Sequence, residues 1–249
     1  MTTHALAAVA VALAIALSSG TATAAEITAL VSNAFKTSFP DLAPLFEKAT
    51  EHRLKITFGS TDPLKIRIEK GEVVDLAIIG EEPIDDLVKQ GKLVATTRVV
   101  VARSGLGVAI RKGAPKPDLS TTEAFKRALV NAKSIGFNER GLTGIYLWGL
   151  FERLGVTAAV KAKFRNGPGA ELAGNGEAEI GLTQASEIML VPDAELAGRL
   201  PAEIQNFTAF AGALGVSARQ PDAARSLLRF LAAPDAVRVM RAKGLEPPA

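Results

Sequence analysis

Residues 54–79 read LKITFGSTDPLKIRIEKGEVVDLAII, and the order of elements in this stretch decides the fold class. Leu54, Ile56 and Phe58 alternate with polar residues, the period of a strand with one buried face. Asp62 and Pro63 then stand at the cap and first position of a helix, where proline is tolerated because its missing N–H has no helical partner in any case. That helix is expected to run to Lys70 and stop at Gly71. Residues 73–79, with Val74, Leu76, Ile78 and Ile79, form the next strand. Working outward, residues 27–31 are a short apolar strand. Residues 41–50 carry Leu42, Leu45, Phe46 and Ala49 at helical spacing, and residues 83–90 are a second proline-started helix closed by Gly91. The series is βαβαβα, for which a parallel sheet covered by helices is the natural packing.

The rest of the chain continues in this style. Strands are expected at 99–102, 107–110, 134–137 and 179–183, and helices at 121–130, 144–154 and 169–174. A strand at 211–217 precedes two helices, 222–231 and 235–243, with Gly244 as the stop. Two α/β halves follow from this count. Residues 99–110 are strand-rich and lack a long linker, which favours strands that cross between the halves over a flexible tether. The expected lobes are therefore 26–104 plus 207–249, and 105–206.

Composition narrows the function. The 249 residues carry 29 Lys+Arg against 26 Asp+Glu, a net charge of +3, and the basic residues form no run longer than a pair, so a nucleic-acid partner is not expected. There is no cysteine, which excludes disulfides, thiol catalysis and cysteine-ligated metals. Residues 5–17 are an unbroken apolar run, followed by Ser18-Ser19-Gly20 and then Ala22-Thr23-Ala24, a small-x-small pattern. That is the outline of a secretory signal peptide over residues 1–25, too short to span a bilayer as an ordinary helix. Export to the periplasm is expected, with the mature chain starting near Ala25 or Glu26. The mature chain then keeps one histidine, His52, in a polar turn, and no Gly-x-Ser-x-Gly elbow, so an enzyme is not expected and no catalytic, metal or cofactor site is assigned. Sparse aromatic residues disfavour a sugar platform. Tyr146 and Trp148, flanked by Leu147, Leu150 and Phe151, read as core.

In open parallel sheets ligands bind beyond the carboxyl ends of the strands. The turns at those ends are Ser32-Asn33-Ala34, Gly59-Ser60-Thr61-Asp62, the 138–144 segment NERGLTG, and Thr183-Gln184-Ala185-Ser186. All four are small and polar, and at least two open onto a helix start with free backbone N–H groups, which favours an anion. Any one of them alone reads as helix capping. Asn33, Ala34, Ser60, Thr61, Thr143, Gly144, Thr183 and Gln184 are the candidate ligand contacts, and Arg140 is a candidate fork for a carboxylate. Asp75, Glu81, Glu82, Asp85 and Asp86 read as a solvated helix start, with a cation site as the alternative.

These residues carry a resemblance. The first strand and turn with FKTSFPDLAPLFEK (35–48), the 56–79 block, GLTGIYLWGLFERLG (141–155), GEAEIGLTQASEI (176–188) and AARSLLRFLAAPDAVRVMRAKGLEP (223–247) together resemble periplasmic molybdate-binding-type proteins. The resemblance implies a type II periplasmic binding fold, two α/β lobes with a ligand cleft between them. It also implies a monomer that takes a small anionic ligand, an oxyanion or an organic carboxylate, to an inner-membrane ABC permease; a sensory role, presenting ligand to a membrane receptor, is the alternative, and an exported hydrolase is the other reading. The family's first-turn serine falls at Ala34 beside Asn33, the second-turn serine at Thr61 beside Ser60, the third contact at Thr143 with the Gly144 amide, and the fourth-block tyrosine at Gln184. The changes at Ala34 and Gln184 imply a ligand other than molybdate.

Overall fold

The computed structural model describes residues 24–140 and 142–248; the signal-peptide expectation lies almost wholly outside them. The first segment alternates β1 (Glu26–Ser32), a 3₁₀ turn (Asn33–Phe35), α1 (Phe39–Thr50), β2 (Arg53–Gly59), α2 (Thr61–Glu69), β3 (Leu76–Gly80) and α3 (Glu81–Lys89). A long strand, β4 (Val99–Arg111), leads to α4 (Thr122–Asn131), β5 (Ile135–Phe137), α5 (Leu142–Leu154), α6 (Thr157–Lys161), β6 (Phe164–Asn166), α7 (Gly169–Gly174), β7 (Ile180–Gln184), α8 (Ala185–Ile188) and β8 (Ala194–Arg199). The chain ends with β9 (Phe207–Leu214), α9 (Pro221–Leu231) and α10 (Pro234–Ala242). No helix among the described residues is long and apolar enough to cross a membrane.

The strands join in the order β2-β1-β3-β9-β4-β7-β5-β6, with β8 also on β4. β1 pairs parallel with β2 and β3, and β5 pairs parallel with β6 and β7. β9 is antiparallel to both β3 and β4. The sequence reading split β4 in two at Arg103-Ser104-Gly105-Leu106. The backbone instead runs straight through and changes partners: Val99–Gly105 pairs with β9, and Leu106–Arg111 with β7 and β8. Its polar and glycine residues mark this changeover. A Cβ on Gly105 would lie 2.9 Å from the Phe207 ring, and the Arg103 guanidinium sits 4.2 Å over that same ring.

Apolar residues fill both faces of the sheet. On one face Ile27, Val31, Phe35, Leu76 and Ile78 pack with Phe46 of α1 and with Ala224, Leu227 and Met240 of α9 and α10, which seats the C-terminal segment on the first strands. On the other, Leu30, Ala77 and Ile79 pack with Leu64, Ile84 and Leu87 of α2 and α3. A separate core gathers Val108, Ile135 and Leu182 with Phe125, Leu147 and Phe151. Trp148 packs edge-on to Phe137, Phe151 and Phe164, and the Tyr146 hydroxyl donates to the Ile204 carbonyl at 2.8 Å, so both aromatics serve the core as expected.

The acidic group near β3 differs from its sequence reading. Asp75 is buried and accepts hydrogen bonds from Thr28 N and Oγ1 (both 2.8 Å), Arg219 N (2.7 Å) and Gln220 N (2.8 Å). Burial pushes its carboxyl up, and the four hydrogen bonds more than offset that, holding it below the usual range. Glu81 and Asp85 pair with Arg98 at 2.5 and 2.8 Å. Among the described residues no cluster of acids or histidines is arranged to hold a metal ion.

Candidate functional site

The ends of β1, β2, β5 and β7 converge on one cleft of about 350 Å³, at the small end of the roughly 300–1,000 Å³ typical of ligand pockets. Seven of the nine sequence candidates line it: Asn33, Ala34, Ser60, Thr61, Thr143, Thr183 and Gln184. Arg140 and Gly144 do not. Arg140 is exposed on the turn after β5, where its backbone N–H donates to Asn138 Oδ1 at 3.1 Å. That bond closes a local turn, and Asn138, not Arg140, lies on the cleft wall. Gly144 lies beneath the same turn: a Cβ there would fall 2.2 Å from the Asn138 carbonyl oxygen. Its role is to let the turn fold onto the start of α5. Gly144→Ala is expected to displace Asn138 and Thr143 and weaken ligand binding by at least about tenfold, since one lost hydrogen bond to a charged group is worth about 1.5–3 kcal/mol. Isothermal titration of the variant checks this.

The capping alternative can be tested bond by bond. Thr121, away from the cleft, is an ordinary cap and accepts from Ala124 N at 3.1 Å. Ser32 likewise accepts from Ala34 N at 3.3 Å. Ser60 stands at the cap position of α2 but makes no capping bond with its side chain. Its hydroxyl is thus unspent and lines the cleft. Thr61 accepts from Gly80 N at 3.3 Å, so its own O–H remains available to donate. With Thr143 at the start of α5, the cleft presents hydroxyl donors at the N-terminal ends of two helices, where the backbone dipole favours negative charge by about 0.3–1 kcal/mol per helix.

Two bonds tie the base of the cleft to the crossing strands. Ser104 of β4 and Ser186 of α8 share a hydrogen bond of 3.0 Å, and Gln184 Nε2 donates to Thr208 Oγ1 of β9 at 2.9 Å. Gln184 is buried, and its Oε1 has no hydrogen-bond partner. A buried orphan of this kind costs about 1–3 kcal/mol, which a bound molecule can return.

Several lining residues were not singled out from sequence. Ser32, Asn138 and Ser186 lay inside the four turns. Pro168 and Gly169 follow β6, a three-residue strand too short for a periodic signal. Thr208 enters from β9, which begins four residues earlier than its apolar run suggests. Glu187, one turn after Thr183, is the only ionisable side chain among the described lining residues and accepts a hydrogen bond from the Thr183 hydroxyl. The cleft therefore offers an anion neutral donors and no cation.

Comparison with known proteins agrees with this architecture. The chain is 34% identical over 231 residues to a protein of Pseudomonas sp named aconitate isomerase, covering 89% of this chain and 87% of the relative. It is 25% identical over 236 residues to the molybdate-binding protein ModA of Azotobacter vinelandii, covering 90% of each. The solved periplasmic molybdate-binding protein of Azotobacter vinelandii superposes with a TM-score of 0.69 at 19% identity, over 90% of this chain and 100% of that one. At that identity the likeness is one of fold, the type II periplasmic binding fold with a cleft between two α/β lobes. The family model for bacterial extracellular solute-binding proteins matches residues 27–246, nearly the whole described chain, and the chain belongs to that family.

Proposed function

We propose that the protein captures a small organic carboxylate in its cleft and delivers it to an inner-membrane ABC permease after export to the periplasm. The observation that carries this reading is the set of uncommitted donors: Ser60 without a capping bond and Thr61 with its O–H free, beside Thr143 at a second helix start. The lobes are 26–104 plus 207–249 and 105–206, meeting where β4 changes partners. Ligand donors lie on both sides of that changeover, so a bound anion stabilises the closed arrangement by bridging them. Molybdate is disfavoured by Ala34 and Gln184, which stand where the related pattern has hydroxyls. The more similar relative, at 34% identity, is named for a tricarboxylate and not for molybdate.

Calorimetric titration with molybdate, tungstate, sulfate and a series of di- and tricarboxylates tests the reading. A carboxylate is expected to bind most tightly. The Thr61→Ala, Thr143→Ala double variant is expected to lose at least about a hundredfold in affinity, two hydrogen bonds to a charged ligand at about 1.5–3 kcal/mol each. Tight molybdate binding with every carboxylate silent rejects the ligand class, and unchanged affinity in the double variant rejects the site.

Capture alone requires no chemistry. A second reading, turnover of the captured acid, is favoured by the isomerase relative.

A further inference from the structure

The one ionisable side chain among the described lining residues has the wrong sign for an anion site. Glu187 is exposed at the edge of a cleft whose other lining residues are hydroxyls and amides together with the apolar Ala34, Pro168, Leu182 and Phe210. No lysine, arginine or histidine among the described residues pairs with it, and its Oε2 is held by the Thr183 hydroxyl one turn earlier. α8, which carries it, packs against the 3₁₀ turn Asn33–Phe35 on the opposite side of the cleft. A like charge beside a bound anion weakens binding, so a site for capture alone is better served by a neutral residue there. A carboxylate is useful in that place if it exchanges a proton with the ligand.

We propose that Glu187 is a catalytic base and that the protein isomerises an unsaturated di- or tricarboxylate in this cleft by a 1,3-proton shift. This rests on the second reading proposed above, turnover of a captured carboxylate, and deepens it by naming the group that moves the proton. A Glu187 carboxylate oxygen takes a proton from the methylene next to the alkene. The C–H electron pair forms the new C=C bond. The old π pair moves to the far alkene carbon, which takes the proton back from the Glu187 carboxyl group. The product is an isomer of the substrate, so no oxidant, reductant or cofactor is consumed. The allylic anion formed between the two proton transfers is delocalised onto a substrate carboxylate, which the Ser60, Thr61 and Thr143 donors stabilise at the starts of α2 and α5.

The test uses the full-length mature chain with trans-aconitate in D₂O, followed by proton NMR, with affinity measured in parallel by calorimetry. The wild type is expected to give the cis isomer and to exchange methylene and vinyl protons for deuterium. Glu187→Gln is expected to lower the exchange rate by about 10²–10⁴-fold, the contribution of a positioned general base. The same variant should bind trans-aconitate as tightly as the wild type or more tightly, because it removes a like charge; that readout also shows that it is folded. Glu187→Asp should retain part of the rate. Binding of aconitate, or of a hydroxy acid such as citrate, with neither isomer nor deuterium appearing from aconitate overturns the inference and leaves capture standing. Absence of any carboxylate binding overturns both. An unchanged exchange rate in Glu187→Gln overturns the role of Glu187.

Discussion

Asp75→Ala is expected to remove much of the stability of the folded chain. Asp75 joins β1, through Thr28, to the segment that starts α9, through Arg219 and Gln220. Removing the carboxylate leaves three backbone N–H groups and one hydroxyl without their acceptor. Thr28 is half-buried and Arg219 and Gln220 are exposed, so water reaches part of what is left; at about 0.5–1.5 kcal/mol net for each of the four hydrogen bonds, the loss should reach about 2–6 kcal/mol, a large part of the roughly 5–15 kcal/mol that holds an ordinary domain folded. Urea denaturation at neutral pH measures it, and a loss below about 1 kcal/mol, the mean for arbitrary substitutions, rejects the account. The same residue predicts a pH dependence. Its folded-state pKa lies below the unfolded value, so its contribution is fully present above the unfolded carboxylate pKa of about 3.9. It is lost as the pH falls through the lower, folded value. Asp75→Asn should therefore be less stable than the wild type at pH 7, with the difference shrinking towards strongly acid pH. A difference that is constant with pH contradicts the assignment.

The second large effect is expected at Gly181. A Cβ there would lie 1.9 Å from the Gly169 carbonyl oxygen, and a Cβ on Gly169 would lie 2.8 Å from the carbonyls of Gly136 and Leu182. The start of α7 is thus laid directly on the backbones of β5 and β7. The obstacle is backbone, which cannot swing aside as a side-chain tip can. Neither glycine has a positive φ, so the requirement is for close approach and not for a special backbone conformation. Gly181→Ala should cost about 3 kcal/mol or more, the upper end for a methyl forced into a packed site. Because Pro168 and Gly169 line the cleft, the shift of α7 should also weaken ligand binding by at least about tenfold, roughly one charged hydrogen bond. Thermal denaturation and titration of the same preparation check both effects. A variant with wild-type melting temperature and affinity shows that the backbone can relax, and refutes the prediction.

Much of the local structure was written in short-range chemistry. Pro63 and Pro83 marked helix starts to within two residues: α2 begins at Thr61 with Ser60, not Asp62, at its cap, and α3 begins at Glu81. Gly71 and Gly91 ended the same helices with φ of 93° and 67°, conformations that cost glycine no Cβ clash. The apolar alternation of residues 54–58 and the run through residues 76–79 marked strands whose partners follow from the βαβ rule. Weak elements escaped for the same reason. β6 and α6 are three and five residues long, below the length at which a period can be read. β8 has no fully buried residue and therefore no apolar signature.

The candidate site divides along similar lines. Four polar turns at strand ends were visible because residue type and element order suffice to find them, and seven of their nine named candidates reach one cleft. The choice between Arg140 and Asn138 rested on the turn after β5, in which the Arg140 N–H donates to Asn138 Oδ1 at 3.1 Å and Asn138, not Arg140, lines the cleft. Glu187 carried no signal in the chain: it is a solvent-exposed acid in a short helix after a polar turn, and only the packing of α8 against the Asn33–Phe35 turn puts it at the edge of the cleft.

By itself, then, the sequence determined the alternation of strands and helices and the small polar turns at strand ends, because these depend on residues within a few positions of one another, and its composition, with no cysteine, excluded thiol chemistry. Only the tertiary structure decided that β4 crosses between two sets of partners, that Asp75 binds a segment about 145 positions away and that Glu187 is the one ionisable side chain among the described residues lining the cleft. Each of those depends on which backbone N–H groups, carbonyls and charges meet across long stretches of chain, and residue type at one position does not encode such meetings.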